Sequence, residues 1–178
     1  LGVNHNFLMM PGYERMKHDI VDGVYGPIDS LDANWRFPLA PLRSGPYAMW
    51  MLRRSENVLF EIGAHVFAFV ADLAGPADIG LATLRYPVQT PNGVVHFQGW
   101  RADGMAGPIA IRVDISLIEG CEDRSVSLRG VGANGMFDFG ADSYMRTYNA
   151  DEAIVLGPLA AQVRRAGQAM STGVANAT

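Results

Sequence analysis

The stretch "LRGVGANGMFDFG", Leu128 to Gly140, contains Gly130-Val131-Gly132-Ala133-Asn134-Gly135, the G-x-G-x-x-G spacing of dinucleotide-binding loops. In such a loop a strand delivers the glycines to a helix N-terminus, whose free N–H groups and dipole hold a pyrophosphate. A strand-like run precedes Gly130 here, but "MFDFGADSY" follows, with two Phe, another Gly and no helical stripe. No alternation of strands and helices surrounds the motif, and no acidic residue ends a second parallel strand. The glycines therefore read as a turn or bulge in an antiparallel sheet.

The flanks agree with a sheet. "SYMRTY" offers a last strand downstream, and upstream "GCED" turns "PIAIRVDISLIE" into "RSVSLRGVG". Ile109, Ile111, Val113, Ile115 and Leu117 alternate with Ala110, Arg112, Asp114 and Ser116, giving one apolar face and one polar face. "LATLRYPVQ" passes through Thr90-Pro91-Asn92-Gly93 into "VVHFQGWR", and Ala102-Asp103-Gly104 is expected to begin a longer turn. Short strands joined in this way predict an antiparallel meander.

Before Gly80 the pattern differs. "AMWML" and "NVLFEI" have strand composition. "AHVFAFVADLAGP" reads better as a helix, with Val66, Phe69, Val70 and Leu73 on one face and Gly75-Pro76 as a stop, because "VADLA" is poor strand material; a strand running on from Ile62 is the alternative. Gly26 to Pro46 carries too many breakers for long elements and is expected to be an irregular arm, with "NWRFPL" as a short edge strand. Tyr13, Met16, Ile20 and Val21 predict a short N-terminal helix, and Leu156, Leu159, Ala160 and Val163 a C-terminal one capped at Asn149. The expected organisation is one domain, 1–178: helix and Pro-rich arm over 1–56, sheet body with the C-terminal helix over 57–170, and a loose tail over 171–178.

Composition narrows the function classes. The 178 residues are 49% hydrophobic and 18% charged, so the chain folds around a substantial core. A net charge of −4 with scattered Arg excludes a nucleic-acid-binding stripe. Lys17, the only Lys, sits in a polar helical stretch, which counts against Schiff-base catalysis. A single Cys121 excludes an internal disulfide and a cysteine zinc site, and suits a reducing compartment. The start lacks a basic n-region and a sustained apolar run, and Val66 to Ala71 is too short to span a bilayer. A cytoplasmic protein that does not insert in membranes is expected.

A strand, a short helix ending at "VADLAGPADIG", further antiparallel strands and a helix near "LGPLAAQVRRAGQAM" form an order that resembles the START/Bet v 1-like superfamily, which includes polyketide cyclases and dehydratases. "FEIGAHVFAFVADLAGPADIG" is similar to that family's opening and "ISLIEGCEDRSVSLRG" to its middle hairpin, and the resemblance covers about 57–170. A closed barrel of the lipocalin or allene-oxide-cyclase kind is the alternative. Both give a β-rich α+β fold: a curved antiparallel sheet or barrel around an apolar cavity, with helices at its ends.

Candidate chemistry follows from alternation. His96, Gln98 and Trp100 share one strand face, and Arg112 and Asp114 share the polar face of another. If these line the cavity, His96 acts as general acid or base oriented by Asp114, with Tyr86 and Trp100 stacking on the ligand and Arg112 and Gln98 beside it. If they do not, both faces are the wet side of the sheet. Glu61 and His65 would form a carboxylate and imidazole pair in a strand, whereas in the helical reading His65 sits at a helix start as a surface or capping residue. His18 and Asp22 supply two metal ligands without a third, so no metal is expected. No G-x-S-x-G or H-E-x-x-H occurs. The expected function is binding of a small hydrophobic molecule without a cofactor, extended to cyclase, dehydratase or isomerase chemistry. Alternatives are a lipid or metabolite carrier and a structural subunit of a homo-oligomer, the latter compatible with the Met and Trp residues of the N-terminal third.

Overall fold

The computed structural model describes residues 6–118, 120 and 122–149. The expected C-terminal helix and tail and Cys121 lie outside the described residues. After a 3-10 turn at Asn6–Met9, the order is α1 (Pro11–Val21), β1 (Ile28–Arg36), α2 (Pro41–Ser44), a 3-10 turn at Trp50–Leu52, α3 (Asn57–Ala74), β2 (Asp78–Gln89), β3 (Val95–Ala106), β4 (Ile109–Ser116), β5 (Asp123–Gly130), β6 (Ala133–Asp138) and β7 (Ser143–Tyr148).

The strand order is β2-β3-β4-β1-β5-β6-β7 in a mixed, open sheet. This corrects the expected fold. Two antiparallel meanders, β2-β3-β4 and β5-β6-β7, are present. Between them in the order stands β1, from the stretch expected to be an irregular arm with an edge strand. The sheet ends at β2 and β7, so it is neither a continuous meander nor a closed barrel. Local alternation specifies hairpins; it cannot report a strand inserted from ninety residues upstream.

The chain divides into two compact units, Leu1–Leu31 with Ser125–Thr178 and Asp32–Arg124. In the first, Gly12, Tyr13 and Met16 bury one face of α1, and the Tyr13 and Phe137 rings pack 5.6 Å apart. The glycine motif lies here. Gly130 ends β5, Gly132 is in the turn and Gly135 lies within β6, so the motif leads into a strand and not into a helix N-terminus. What the glycines admit is the Val24-Tyr25 segment. A Cβ at Gly130 would overlap the Tyr25 carbonyl, one at Gly132 would lie 2.8 Å from the Val24 carbonyl oxygen, and one at Gly135 would overlap the Tyr25 phenol oxygen. The Gly132 N–H donates to the Tyr25 carbonyl at 2.9 Å, and the Val131 N–H to that of Pro27 at 3.1 Å. The expectation of a turn in a sheet is met, and its glycines serve close approach of backbone and ring.

The second unit holds α3 and β2 to β4. "NVLFEI" forms the first turns of α3 instead of a strand, and "AMWML" runs through the 3-10 turn. Val58, Ile62, Val66, Phe69 and Val70 recur at helical spacing and are buried, and α3 packs against β4. Gly75, at φ +81°, ends the helix and donates its N–H to the Ala71 carbonyl. By length and composition alone α3 could cross a membrane; its buried stripe makes it a core helix in this fold. Thr90 to Val94 forms the expected turn, with the Thr90 N–H on the Val94 carbonyl at 3.0 Å. Ala102-Asp103-Gly104 does not turn: β3 continues to Ala106, and Gly104 is where a Cβ would overlap the Asp78 carbonyl beside a register shift in β2.

Candidate functional site

Glu61, His65, Tyr86, His96, Gln98, Trp100, Arg112 and Asp114 lie in the second unit, and His18 and Asp22 in the first; the strand register sorts those on β2 to β4. Trp100 pairs with Ile115 and Arg101 with Asp114. His96 and Gln98 have the parity of Trp100, on the face that α3 covers; Asp114 and Arg112 have the parity of the opposite face. His96 and Asp114 thus point to opposite sides of the sheet, and the dyad expected from the sequence does not form. Period two places residues on faces, and only the register between strands says which faces coincide.

His96 is fully buried, and among the described residues neither ring nitrogen has a partner in good hydrogen-bond geometry, the Leu52 backbone being its polar neighbour. Burial holds its imidazole below the usual range, opposed by the Leu52 backbone. Asp114, also buried, receives Arg85 Nη2 at 2.9 Å and lies 3.7 Å from Arg36 Nε. Arg112 spans Asp103 at 3.1 Å and Asp32 at 3.8 Å. Asp103 sits below the usual carboxylate range because Arg101 hydrogen-bonds it, with Arg112 adding to the effect against some desolvation. These groups make an ion-pair lattice whose members compensate one another. Tyr86 is exposed and adopts φ +57°, a left-handed conformation uncommon outside glycine; its ring lies where a Cβ on Gly99 would come within 3.0 Å, and the Arg85 guanidinium is 5.6 Å from its centre.

An apolar cavity of about 170 Å³ flanks α3, lined by Leu59, Phe67, Leu84, Trp100, Val113 and Ile115 among others. That is below the roughly 300–1,000 Å³ of small-molecule pockets. It is a cleft beside a helix, not the interior of a barrel.

Glu61 and His65 lie on one flank of α3. The helix begins at Asn57, eight residues before His65, so His65 is in the body of α3 and not at its start. Four residues apart, the two side chains occupy one helix flank, about 5–6 Å apart at their Cβ atoms. Glu61 is exposed and His65 half-buried. Trp35 of β1 stacks on the imidazole, with ring centres 6.2 Å apart and planes 19° from parallel. The helix start is held by Asn57 Nδ2, which donates to the Trp50 carbonyl at 2.7 Å. Trp35 was missed from the sequence because it falls in the stretch judged irregular. Chemically, the flank offers a half-buried imidazole, its Nδ1 buried, with an exposed carboxylate one turn away, an arrangement able to exchange a proton and stabilise an imidazolium.

Among the described residues no group of three or more His, Cys, Asp or Glu is arranged to hold a metal ion. Nor do they cradle a dinucleotide at the one glycine motif that suggests it, since Tyr25 fills the space the glycines leave.

No family model and no curated protein matches the chain. Solved structures do. Levoglucosan dehydrogenase in complex with NADH and levoglucosan aligns over 84% of this chain with a TM-score of 0.69 and 16% identity. An NAD-binding oxidoreductase from Klebsiella pneumoniae aligns over 85% with a TM-score of 0.68 and 15% identity. UDP-N-acetylglucosamine 3-dehydrogenase from Acidithiobacillus ferrooxidans gives 84%, 0.59 and 13%. The matches cover 43%, 44% and 44% of those chains, so this chain spans less than half their length. The chain shares its fold with the matched part of these oxidoreductase structures.

This overturns the START/Bet v 1-like resemblance. In the opening read as a family strand running into a helix, the expected strand is part of α3, which runs to Ala74 before β2 begins at Asp78, and the hairpin motifs recur in any antiparallel sheet. The barrel alternative falls with it. The expectations built on those folds lose their basis: a small hydrophobic molecule as partner, lyase or isomerase chemistry, a carrier, a structural subunit. A homo-oligomer is not shown.

Proposed function

We propose that this chain forms the substrate-side domain of a nicotinamide-dependent oxidoreductase acting on a sugar or related polyol, with His65 as proton acceptor and Glu61 as its supporting carboxylate. The observation that carries the reading is the pairing of Glu61 and His65 on an accessible flank of α3, in a fold shared with structures described as sugar dehydrogenases. A secondary alcohol becoming a ketone must release its hydroxyl proton. A neutral imidazole near pH 7 is matched to that task, and the carboxylate one turn away stabilises the imidazolium.

At the glycine motif Tyr25 leaves no room for a dinucleotide, and none of the described residues is assigned to it. In this reading it is held by a part of the enzyme other than these residues. A cytoplasmic location, expected from the sequence, accords with a soluble dinucleotide as cosubstrate.

The test is a binding titration of the chain with levoglucosan, L-sorbose and simple sugar alcohols, followed by NMR. The expected result is a saturable shift of the His65 imidazole resonances by at least one of them, weakened in Glu61→Gln and absent in His65→Asn. Shifts spread evenly over the surface, or unchanged in both variants, would remove the site from these residues.

A further inference from the structure

Trp35 of β1 lies against the flank of α3 that carries His65. Trp35 and His65 lie nearly parallel, at 19° and 6.2 Å between ring centres. Strand parity fixes this orientation. Trp35 shares the face of the fully buried Ala33, whereas Asp32 and Arg36 alternate to the other side, where Asp32 approaches Arg112 and Arg36 approaches Asp114. An indole rooted in a strand is therefore laid against an imidazole rooted in a helix. A helical histidine has several staggered side-chain wells, and a flat neighbour selects one of them.

We propose that Trp35 is a positioning residue for His65: the stacked indole fixes the plane of the imidazole and favours its protonated form. This rests on the reading of His65 as a proton acceptor. The aromatic face attracts a cation, so the imidazolium gains more from the stack than the neutral ring does. Orientation and basicity then move together, and a proton acceptor needs both. On α3, Glu61 precedes His65 by one turn and Asp72 follows it by seven residues; Arg53, Arg54 and Glu56 precede the helix. On β1 and β4, Asp32, Arg36, Arg112 and Asp114 belong to the opposite face of the sheet. Glu61 acts in the same direction as the indole and is unchanged when Trp35 is replaced.

The experiment compares the full chain with Trp35→Phe and Trp35→Leu by proton NMR across pH, the His65 resonances being assigned by their loss in His65→Asn. In Trp35→Leu the imidazole protons are expected to lose the indole ring-current shift, and the His65 midpoint to fall by about half a pH unit, the size of a solvent-accessible cation–π contact. Trp35→Phe keeps an aromatic face and should retain most of both. In turnover of the active enzyme, Trp35→Leu should lower kcat about tenfold with KM little changed, and Phe should restore it. If Trp35→Leu does not fold, Trp35→Met provides the same comparison with a longer apolar side chain. A His65 midpoint and chemical shift equal to wild type in a folded non-aromatic variant would overturn the proposal. Failure of the functional reading is distinguishable, because it would show as absence of sugar binding and turnover in wild type while the NMR comparison still reports the stack.

Discussion

The phenol of Tyr25 occupies the space that Gly135 leaves empty: a Cβ on Gly135 would overlap the Tyr25 oxygen. Tyr25 is almost fully buried, and its hydroxyl lies 2.6 Å from that of Tyr144. Gly135→Ala should therefore destabilise the chain by about 2 kcal/mol, in the range for overpacking a closed site. The same substitution made in Tyr25→Phe should cost less, since the overlapped oxygen is gone, and a double-mutant cycle from urea unfolding gives the difference. Equal costs in the two backgrounds would mean that the clash is relieved elsewhere.

Tyr144 donates to Asp19 Oδ2 at 2.5 Å, and Arg146 Nη1 lies 2.5 Å from Asp19 Oδ1. Burial pushes the Tyr25 phenol up to about 12, with the Tyr144 hydrogen bond opposing; burial and then the Asp19 hydrogen bond push Tyr144 up as well. The folded protein thus holds these phenolic protons where the unfolded chain, titrating near 10, releases them. Their stabilisation is complete below pH 10 and is lost as pH rises above it. Urea midpoints should fall steeply above pH 10 in wild type and less steeply in Tyr144→Phe.

His96 gives the opposite sign at acid pH. Burial depresses its folded pKa, so between that value and about 6.5 the unfolded chain binds a proton that the folded chain refuses. Stability is fully present above about pH 6.5 and falls as pH is lowered. His96→Leu removes both the titration and the two buried ring nitrogens. Its thermal midpoint should drop less than that of wild type between pH 7.5 and pH 5, by about the share due to one histidine.

Asp114 is held between Arg85 and Arg36, and Arg85 Nε is buried without a hydrogen-bond partner among the described residues. Asp114→Asn leaves both guanidinium groups uncompensated. Because both reach solvent, the cost should be about 1–2 kcal/mol, well short of the 3–5 of a fully buried pair. Chemical denaturation measures it. Sugar binding at His65 should be unaffected, since Asp114 faces the other side of the sheet.

How much of this was legible in the sequence follows from the range of each interaction. The hairpin strands β4 and β7 follow "IAIRVDIS" and "SYMRTY", because period-two alternation and turn residues are local properties. The helical reading of "AHVFAFVADL" held for the same reason, although its start was misplaced because "NVLFEI" fits either period. Glu61 and His65 could be named from their types alone. Their pairing depended on where the helix began, and Trp35 depended on β1 being recognised as a strand in the body of the sheet.

The sequence by itself determined the hairpin strands with clear alternation, the body of α3, and that the glycine motif lies in a sheet. Tertiary structure alone decided the insertion of β1 between two meanders and the separation of His96 from Asp114 across the sheet. It also set Tyr25 in the notch of three glycines and Trp35 against His65. Those four facts rest on pairings between residues distant in the chain, whose register is set by packing and long-range hydrogen bonding and leaves no trace in local periodicity.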